Sequence, residues 1–425
     1  MPRVVIVGGG LAGLSAAAAL GSIGFEVDLH EIRPFLGGRA ASFPLNPADE
    51  HSEQIDNCQH VLLRCFTNLL DFYERTGVKE KIHFHDRLHF VRPGGAVDIL
   101  KPGWLPAPAH LIGSLLMFRG LTLTDKYSIL TALAAMRHER QNPRLDNITI
   151  AHWLTTHGAT EKAVSYFWRP ILISALNEEL ERVSARPAFH VFLQGVMKNR
   201  ASYQIGIPAV PLSELYPLEL DNRLGENVRV HLRSSIKHID PTDRVADYYV
   251  SAVPFEYINQ LIPSLQLPLE RFEHSPITGI HLWFDREITT LPHAVLLNRT
   301  IQWVFRKSAN YFQCVVSSSR SLLPLSREKI IAMACCELGE FFPVALDARL
   351  IKAHVVKETR ATYSSTPGLE VYRPLPTTKY PNLFLAGDWT QTGWPATMEG
   401  AVRSGYQAAE AIARATGREE SFVLP

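Results

Sequence analysis

The first chemistry in this chain belongs to three glycines. Gly8-x-Gly10-x-x-Gly13 follows the apolar run Val4-Val5-Ile6-Val7 and enters an alanine-rich stretch. At these spacings one glycine allows a tight turn, the next lets backbone approach a pyrophosphate, and the last lets a helix pack closely on a strand. With Leu11 and Ala12, they set the free N–H groups and positive dipole end of a helix beside a phosphate. Glu31 closes the following apolar segment, where a carboxylate accepts from ribose hydroxyls and disfavours a 2′-phosphate. FAD and NAD are therefore both compatible, ahead of NADP.

Other reactive side chains are set aside. His83, His85 and His89 alternate along one segment, with no cysteine or carboxylate cluster to complete a metal site, and read as strand histidines. Cys335-Cys336 lies within a helical pattern and reads as a pair of free thiols. Five cysteines form no disulfide framework and fit reduced thiols in a cytoplasm. Lysines and arginines total 43 against 42 acids, net charge +1, and are scattered, so nucleic acid is not an expected partner.

The elements that position the glycines form a βαβ unit: a buried strand at 4–7, a helix from Leu11 to Ile23 stopped by Gly24, and a strand at 26–30. Residues 62–76 repeat apolar positions at helical spacing up to Gly77. Residues 82–100 alternate about Pro93-Gly94-Gly95 like a hairpin. Residues 104–136 are a long apolar stretch, and 149–200 read as helical. Segments 228–237 and 245–253 read as strands, 277–316 holds several alternating runs, and 326–340 reads as a helix. A strand at 382–389 then leads into a helix over 398–416. Strand–glycine–helix patterns at both ends predict an α/β fold. A Rossmann-like domain is expected from 1–80, 206–260 and 366–425, with a mixed α+β substrate domain from 81–205 and 261–365.

Two further stretches bear on the cofactor. Arg33-Pro34-Phe35-Leu36-Gly37-Gly38-Arg39-Ala40 resembles the second glycine signature of the flavin amine oxidase and phytoene desaturase superfamily. That resemblance implies Arg33, Gly38, Arg39 and Ala40 against the cofactor, with Arg39 forked onto phosphate. Leu385-Ala386-Gly387-Asp388-Trp389 resembles the superfamily's C-terminal flavin motif, which implies Gly387 and Asp388 at the ribityl chain. Thr397, Met398, Glu399 and Ala401 then open a helix whose positive end faces the flavin. By the same resemblance Ile236 sits beside the adenine. The implied cofactor is FAD.

The run Gly387-Asp388-Trp389-Thr390-Gln391-Thr392-Gly393-Trp394-Pro395-Ala396-Thr397-Met398-Glu399-Gly400-Ala401 resembles the squalene-associated FAD-dependent desaturases, the hydroxysqualene dehydroxylases of hopanoid biosynthesis. Asp56-Asn57-Cys58-Gln59-His60 resembles the same family. Cys58 departs from it, since glycine is expected there and a left-handed turn would strain cysteine. The resemblance implies that a separate synthase-type enzyme supplies hydroxysqualene, whose hydroxyl is replaced by hydride from N5 of the reduced flavin. It brings Gln59 and His60 near the flavin, with His60 the candidate acid for the departing hydroxyl. Trp389 and Trp394 are candidate walls.

Carotenoid-type desaturation and amine oxidation remain open on the same scaffold, as does a flavin-free prenyl carrier. A C30 substrate must arrive from a bilayer, which makes 104–136 a candidate membrane-surface segment. No run of about 18 uninterrupted apolar residues predicts a spanning helix, and no signal peptide is read at the N-terminus. The expected location is cytoplasmic, peripheral on the inner face of the membrane.

Overall fold

The computed structural model describes residues 2–49, 52–217, 220–243 and 245–425. The apolar run at the N-terminus becomes the central strand, Arg3–Val7, of a five-stranded parallel sheet. The sheet order is Val228–His231, Glu26–His30, Arg3–Val7, Tyr248–Ser251 and Leu383–Leu385. Val4 to Val7 are all buried, as a parallel sheet covered on both faces requires. This is the Rossmann-like architecture expected, drawn from three distant stretches of chain.

The first helix, Leu11–Ser22, and the last, Met398–Ala415, cross on this sheet. Ala16 to Ala19 and Ala408 to Ala409 are buried between the helices and the sheet. Gly405 marks the tightest approach: a Cβ there would lie 2.2 Å from the Ala12 carbonyl oxygen. The Ser15 hydroxyl spans the crossing to the Val402 carbonyl at 3.2 Å.

A second, seven-stranded sheet runs Leu350–Tyr363, His274–Phe284, Tyr311–Ser317, Trp303–Arg306, His293–Leu296, Leu88–Val91 and Val97–Leu100. Its pairings are antiparallel except between 293–296 and 88–91. One core joins Phe90, Leu100 and Val295 to the helical segment holding Trp153 and Trp168. Another joins Ile280, Leu282 and Phe312 to the helix Arg327–Phe341.

Several expectations are corrected. The helix expected over 62–76 is Thr67–Arg75, because Leu62–Leu63 is drawn into a three-stranded sheet with Ile205–Pro208 and Ile82–His85. The 82–100 hairpin is confined to 88–91 and 97–100, since 82–85 pairs elsewhere. The strand expected over 228–237 stops at His231, and that over 245–253 spans Tyr248–Ser251. The apolar stretch 104–136 breaks into Ile112–Met117 and the start of Leu123–Glu139. Thr122 and Asp125 form a capping box that starts the longer helix.

His83 is exposed, while His85 stands edge-on to His293 and His89 lies tilted against it, at 5.2 and 5.1 Å between ring centres. His293 donates from Nε2 to the Arg87 carbonyl at 2.9 Å. Burial, then the neighbouring imidazoles, pushes His293 down to about 3, and burial lowers His85 and His89 as well. These rings stay neutral in the fold, whereas the unfolded chain takes up their protons below about pH 6.5. The His293 contribution is thus present above about pH 6.5 and is lost as pH falls toward about 3, and those of His85 and His89 fall in the same direction. Urea unfolding at pH 7.5, 5.5 and 4.5 is expected to show stability falling with acidification, with a shallower fall for His293→Gln. Equal slopes for the two proteins would contradict this.

Candidate functional site

A cavity of about 1000 Å³ runs from the glycine turn to the seven-stranded sheet. At its first end the glycines divide their work. Gly8 has φ +114°, and a Cβ there would lie 2.7 Å from the Ala252 carbonyl oxygen; a Cβ on Gly13 would lie 1.9 Å from that of Gly8. These two glycines serve backbone packing, and Gly13 lies behind the cavity wall. Gly10 meets only the Gly38 Cα, at 3.9 Å, so its bare face opens a cradle that a Cβ would fill. Gly10 also starts the first helix with no side-chain cap. The N–H groups beside Leu11 and Ala12 are thus left for an anionic guest.

Glu31 is buried at the rim. Its carboxylate accepts the Gly9 N–H at 2.7 Å and the Arg33 N–H at 2.8 Å. Both oxygens keep a lone pair for hydroxyl donors. Arg33, Gly38, Arg39 and Ala40 follow along the same wall. Ile236 also lines the cavity, but from irregular chain beyond the strand end, alongside Ser234 and Lys237, which the sequence reading missed.

The two ends of the chain meet at an ion pair. Arg39 Nη2 donates to Asp388 Oδ1 at 2.7 Å, and its Nη1 to the Ala361 carbonyl at 2.9 Å. Burial works against the Arg39 charge, and the Asp388 carboxylate overrides it, holding the guanidinium above its ordinary value. Arg39 therefore ties the second glycine signature to the C-terminal strand, where it was expected to fork onto phosphate. Gly387 has φ +146°, with the Trp389 indole where a Cβ would go, and its N–H donates to Ser404 Oγ at 2.7 Å. Trp389 and Trp394 both line the cavity.

The last helix brings a correction. Thr397 caps it, accepting the Gly400 N–H at 3.1 Å, and Met398 and Ala401 line the cavity. Glu399 is turned away by about 100° of helix. Fully buried, it accepts from the Asn68 N–H at 3.1 Å, Asn68 Nδ2 at 2.7 Å and the Leu69 N–H at 2.8 Å. Glu399 thus caps Thr67–Arg75, whose own N-cap residue, Phe66, has no side chain to offer. It is not part of the cavity lining.

The Asp56–His60 turn holds without left-handed backbone at Cys58, so cysteine is accommodated there. Lys307 Nζ pins it, donating to Asp56 Oδ2 and Gln59 Oε1, each at 3.1 Å. His60 lines the cavity with Nδ1 2.9 Å from the Cys58 carbonyl. A carbonyl only accepts, so Nδ1 carries the proton. Burial lowers the pKa of His60, leaving a neutral ring whose Nε2 is an acceptor. The expected acid role of His60 would therefore need a second proton, on Nε2.

Beyond this turn the cavity becomes apolar, walled by Leu88, Phe90, Leu111, Ile171, Trp303 and Phe305. Glu358, which accepts from Asn57 Nδ2 at 3.0 Å, and His190 are polar exceptions that the sequence reading missed. Strand alternation in 350–363 carried the only signal for Glu358; none marked His190.

A family model described as flavin containing amine oxidoreductase matches residues 11–413. A probable zeta-carotene desaturase of Synechococcus elongatus is 27% identical, over 97% of this chain and 99% of its own. A 15-cis-phytoene desaturase of the same organism is 26% identical, over 96% and 95%. Among solved structures, a putrescine oxidase with a redesigned cofactor site superposes with TM-score 0.72 at 17% identity, covering 97% of this chain and 99% of that one. Cyclohexylamine oxidase from Brevibacterium oxydans gives 0.69 at 17%, over 98% and 100%. The cradle at Gly10, the uncapped helix, Glu31 and the second helix end at Thr397 fit FAD. Separate Arg39→Met and Asp388→Asn variants are each expected to weaken FAD binding about ten- to hundredfold. The double variant should lose little more, because the pair acts as a unit. Flavin titration of the stripped proteins checks this, and simple additivity would count against the pair.

Proposed function

The chain belongs to the flavin containing amine oxidoreductase family, and from that premise we propose that its substrate is a long, apolar isoprenoid. The observation that carries the reading is the continuity of the cavity, which passes from the polar dinucleotide cradle into a chamber walled by aliphatic and aromatic side chains. Bound FAD supplies hydride exchange. The chain's own residues hold the carbon skeleton, exclude water and set where a proton can stand. Family membership also favours an enzyme over a flavin-free carrier.

Within that class, the proposed reaction is reductive dehydroxylation of hydroxysqualene to squalene, in hopanoid biosynthesis. It is supported by the resemblance of Asp56–His60 and Gly387–Ala401 to the squalene-associated desaturases. The allylic hydroxyl leaves as water, and a dry chamber protects the delocalised cation from recapture. A synthase-type enzyme would supply the alcohol. Carotenoid desaturation is the second reading, and the named relatives favour it. It would use the same chamber with hydride flowing the other way.

Substrate entry is proposed from a bilayer. Trp104, Leu116, Met117, Leu123 and Tyr127 are exposed on one stretch, with Trp104 at 88% and Leu123 at 79%. Leu100 and Leu111, in and beside that stretch, line the chamber. Exposed Lys101 just before it and Arg119 within it complement anionic lipid. Among the described residues no helix is long and apolar enough to cross a membrane, so the stretch would lie in the interface.

Two experiments test these readings. Reduced, oxygen-free enzyme mixed with hydroxysqualene is expected to yield squalene in a single turnover. If oxidised enzyme instead introduces double bonds into phytoene and makes no squalene, the desaturase reading replaces the first. In flotation, the protein should rise with anionic vesicles, and the triple change Trp104→Ser, Met117→Ser, Leu123→Ser should leave most of it behind. Equal flotation of the two would rule out this surface.

A further inference from the structure

Hydride exchange at a carbon leaves a proton to account for. Reductive dehydroxylation takes up one proton as the C–O bond breaks and water departs; desaturation releases one from the neighbouring carbon. At rest His60 presents an acceptor to the chamber, which is otherwise largely apolar. Beside it lies a second pocket of about 210 Å³, lined by Tyr363, Ser365, Glu370 and Arg373 and, opposite, Asp146 and Arg186. Its charges are mutually satisfied: Arg186 pairs with Asp146 at 3.0 Å and Arg373 with Glu370 at 2.9 Å. The pocket is polar, near neutral and roomy enough for several waters.

His190, Trp394 and Pro395 line both spaces and form the wall between them. The His190 ring stands edge-on to Trp394, with centres 4.3 Å apart and planes at 70°. Its Nε2 is buried and has no hydrogen-bond partner. A buried ring nitrogen without a partner costs free energy that another residue at this site would avoid. The backbone here is also unusual. A π-helical segment, Val191–Val196, begins directly after His190, and its Val191, Gln194, Gly195 and Val196 all line the chamber. Such widened turns recur at functional sites.

We propose that His190 relays the proton between the reaction chamber and the side pocket. This rests on the isoprenoid oxidoreductase reading above. In the reductive direction, one ring nitrogen gives its proton to the departing hydroxyl oxygen while the other takes up a proton that solvent passes in through the side-pocket waters, so that no hydroxide is left behind. The C–O bond breaks, water forms, and the carbon receives the hydride that the reduced flavin, when bound, would supply. In the oxidative direction the ring takes a proton from carbon and passes one out. A relay needs a ring that is neutral at rest, with one N–H and one lone pair. Burial, then the charges of Arg403 and Lys198, lowers His190 to about 4 and keeps it so. Of the other charges around it, Arg186, Arg373, Asp146 and Glu370 are already paired.

The test uses flavin-loaded His190→Gln and His190→Ala with the isoprenoid that the wild type turns over. Expected are kcat lower by about a hundredfold or more, KM within about threefold and flavin content unchanged. Free imidazole should restore part of the rate to His190→Ala, because a small base re-enters the space. Unchanged kcat in either variant, or a loss that imidazole fails to relieve while KM rises in step, would overturn the relay. The wild type is measured first. If it acts on neither hydroxysqualene nor phytoene, the substrate reading fails, and the relay built on it fails too. An active wild type beside indifferent variants removes the relay alone.

Discussion

Two helices cross so closely at Gly405 that no side chain fits there, and the site depends on that contact. Gly405 lies so close to Ala12 and Ser15 that any larger residue would displace backbone. Overpacking of this kind costs about 1–3 kcal/mol even where the core can give. The crossing brings the two helix beginnings, Gly10 and Thr397, to one cavity. Two positive dipole ends then converge on a guest with negative charge at one end and an electron-accepting ring at the other. Arg39 and Asp388 complete the same join with an ion pair, so geometry and charge fasten the chain ends at the same place.

The cradle was legible in the sequence because its parts are short and local. A glycine turn needs only its spacing, and Gly8, Gly10, Leu11, Ala12 and Glu31 lie where that spacing puts them. The parallel sheet was legible for a similar reason, since both chain ends read as strand, glycine and helix. What failed was whatever depended on a partner far away in sequence. Leu62–Leu63 has helical periodicity, yet it pairs with Ile205–Pro208. Glu399 sits within a recognisable motif, yet the unfilled helix end at Asn68 and Leu69 claims it. Arg39 lines the cavity as expected, but its bond to Asp388, 349 residues on, had no signal in the sequence. His190 carried no signal, because its position in a wall between two spaces exists only in three dimensions.

The cavity is electrically divided. Its dinucleotide half gathers helix ends, Glu31 and the Arg39–Asp388 pair, whereas its far half is walled by carbon. In that far half an unpaired charge would be expensive, which is why the histidines nearby are neutral. Burial lowers both His60 and His190. A chamber built this way penalises ions.

The parallel sheet is assembled from strands at 3–7, 26–30, 228–231, 248–251 and 383–385. A chain leaving the ribosome from its N-terminus therefore exposes its glycine turn long before the opposite side of the cradle exists. Until Asp388, Thr397 and Gly405 have emerged, the first helix has nothing to cross and its buried alanines face solvent. Pairings this distant in sequence form slowly. Cofactor loading is consequently an event of the finished polypeptide, and a chain truncated in its last tenth would lose the capacity to bind flavin while keeping nearly all of the apolar chamber.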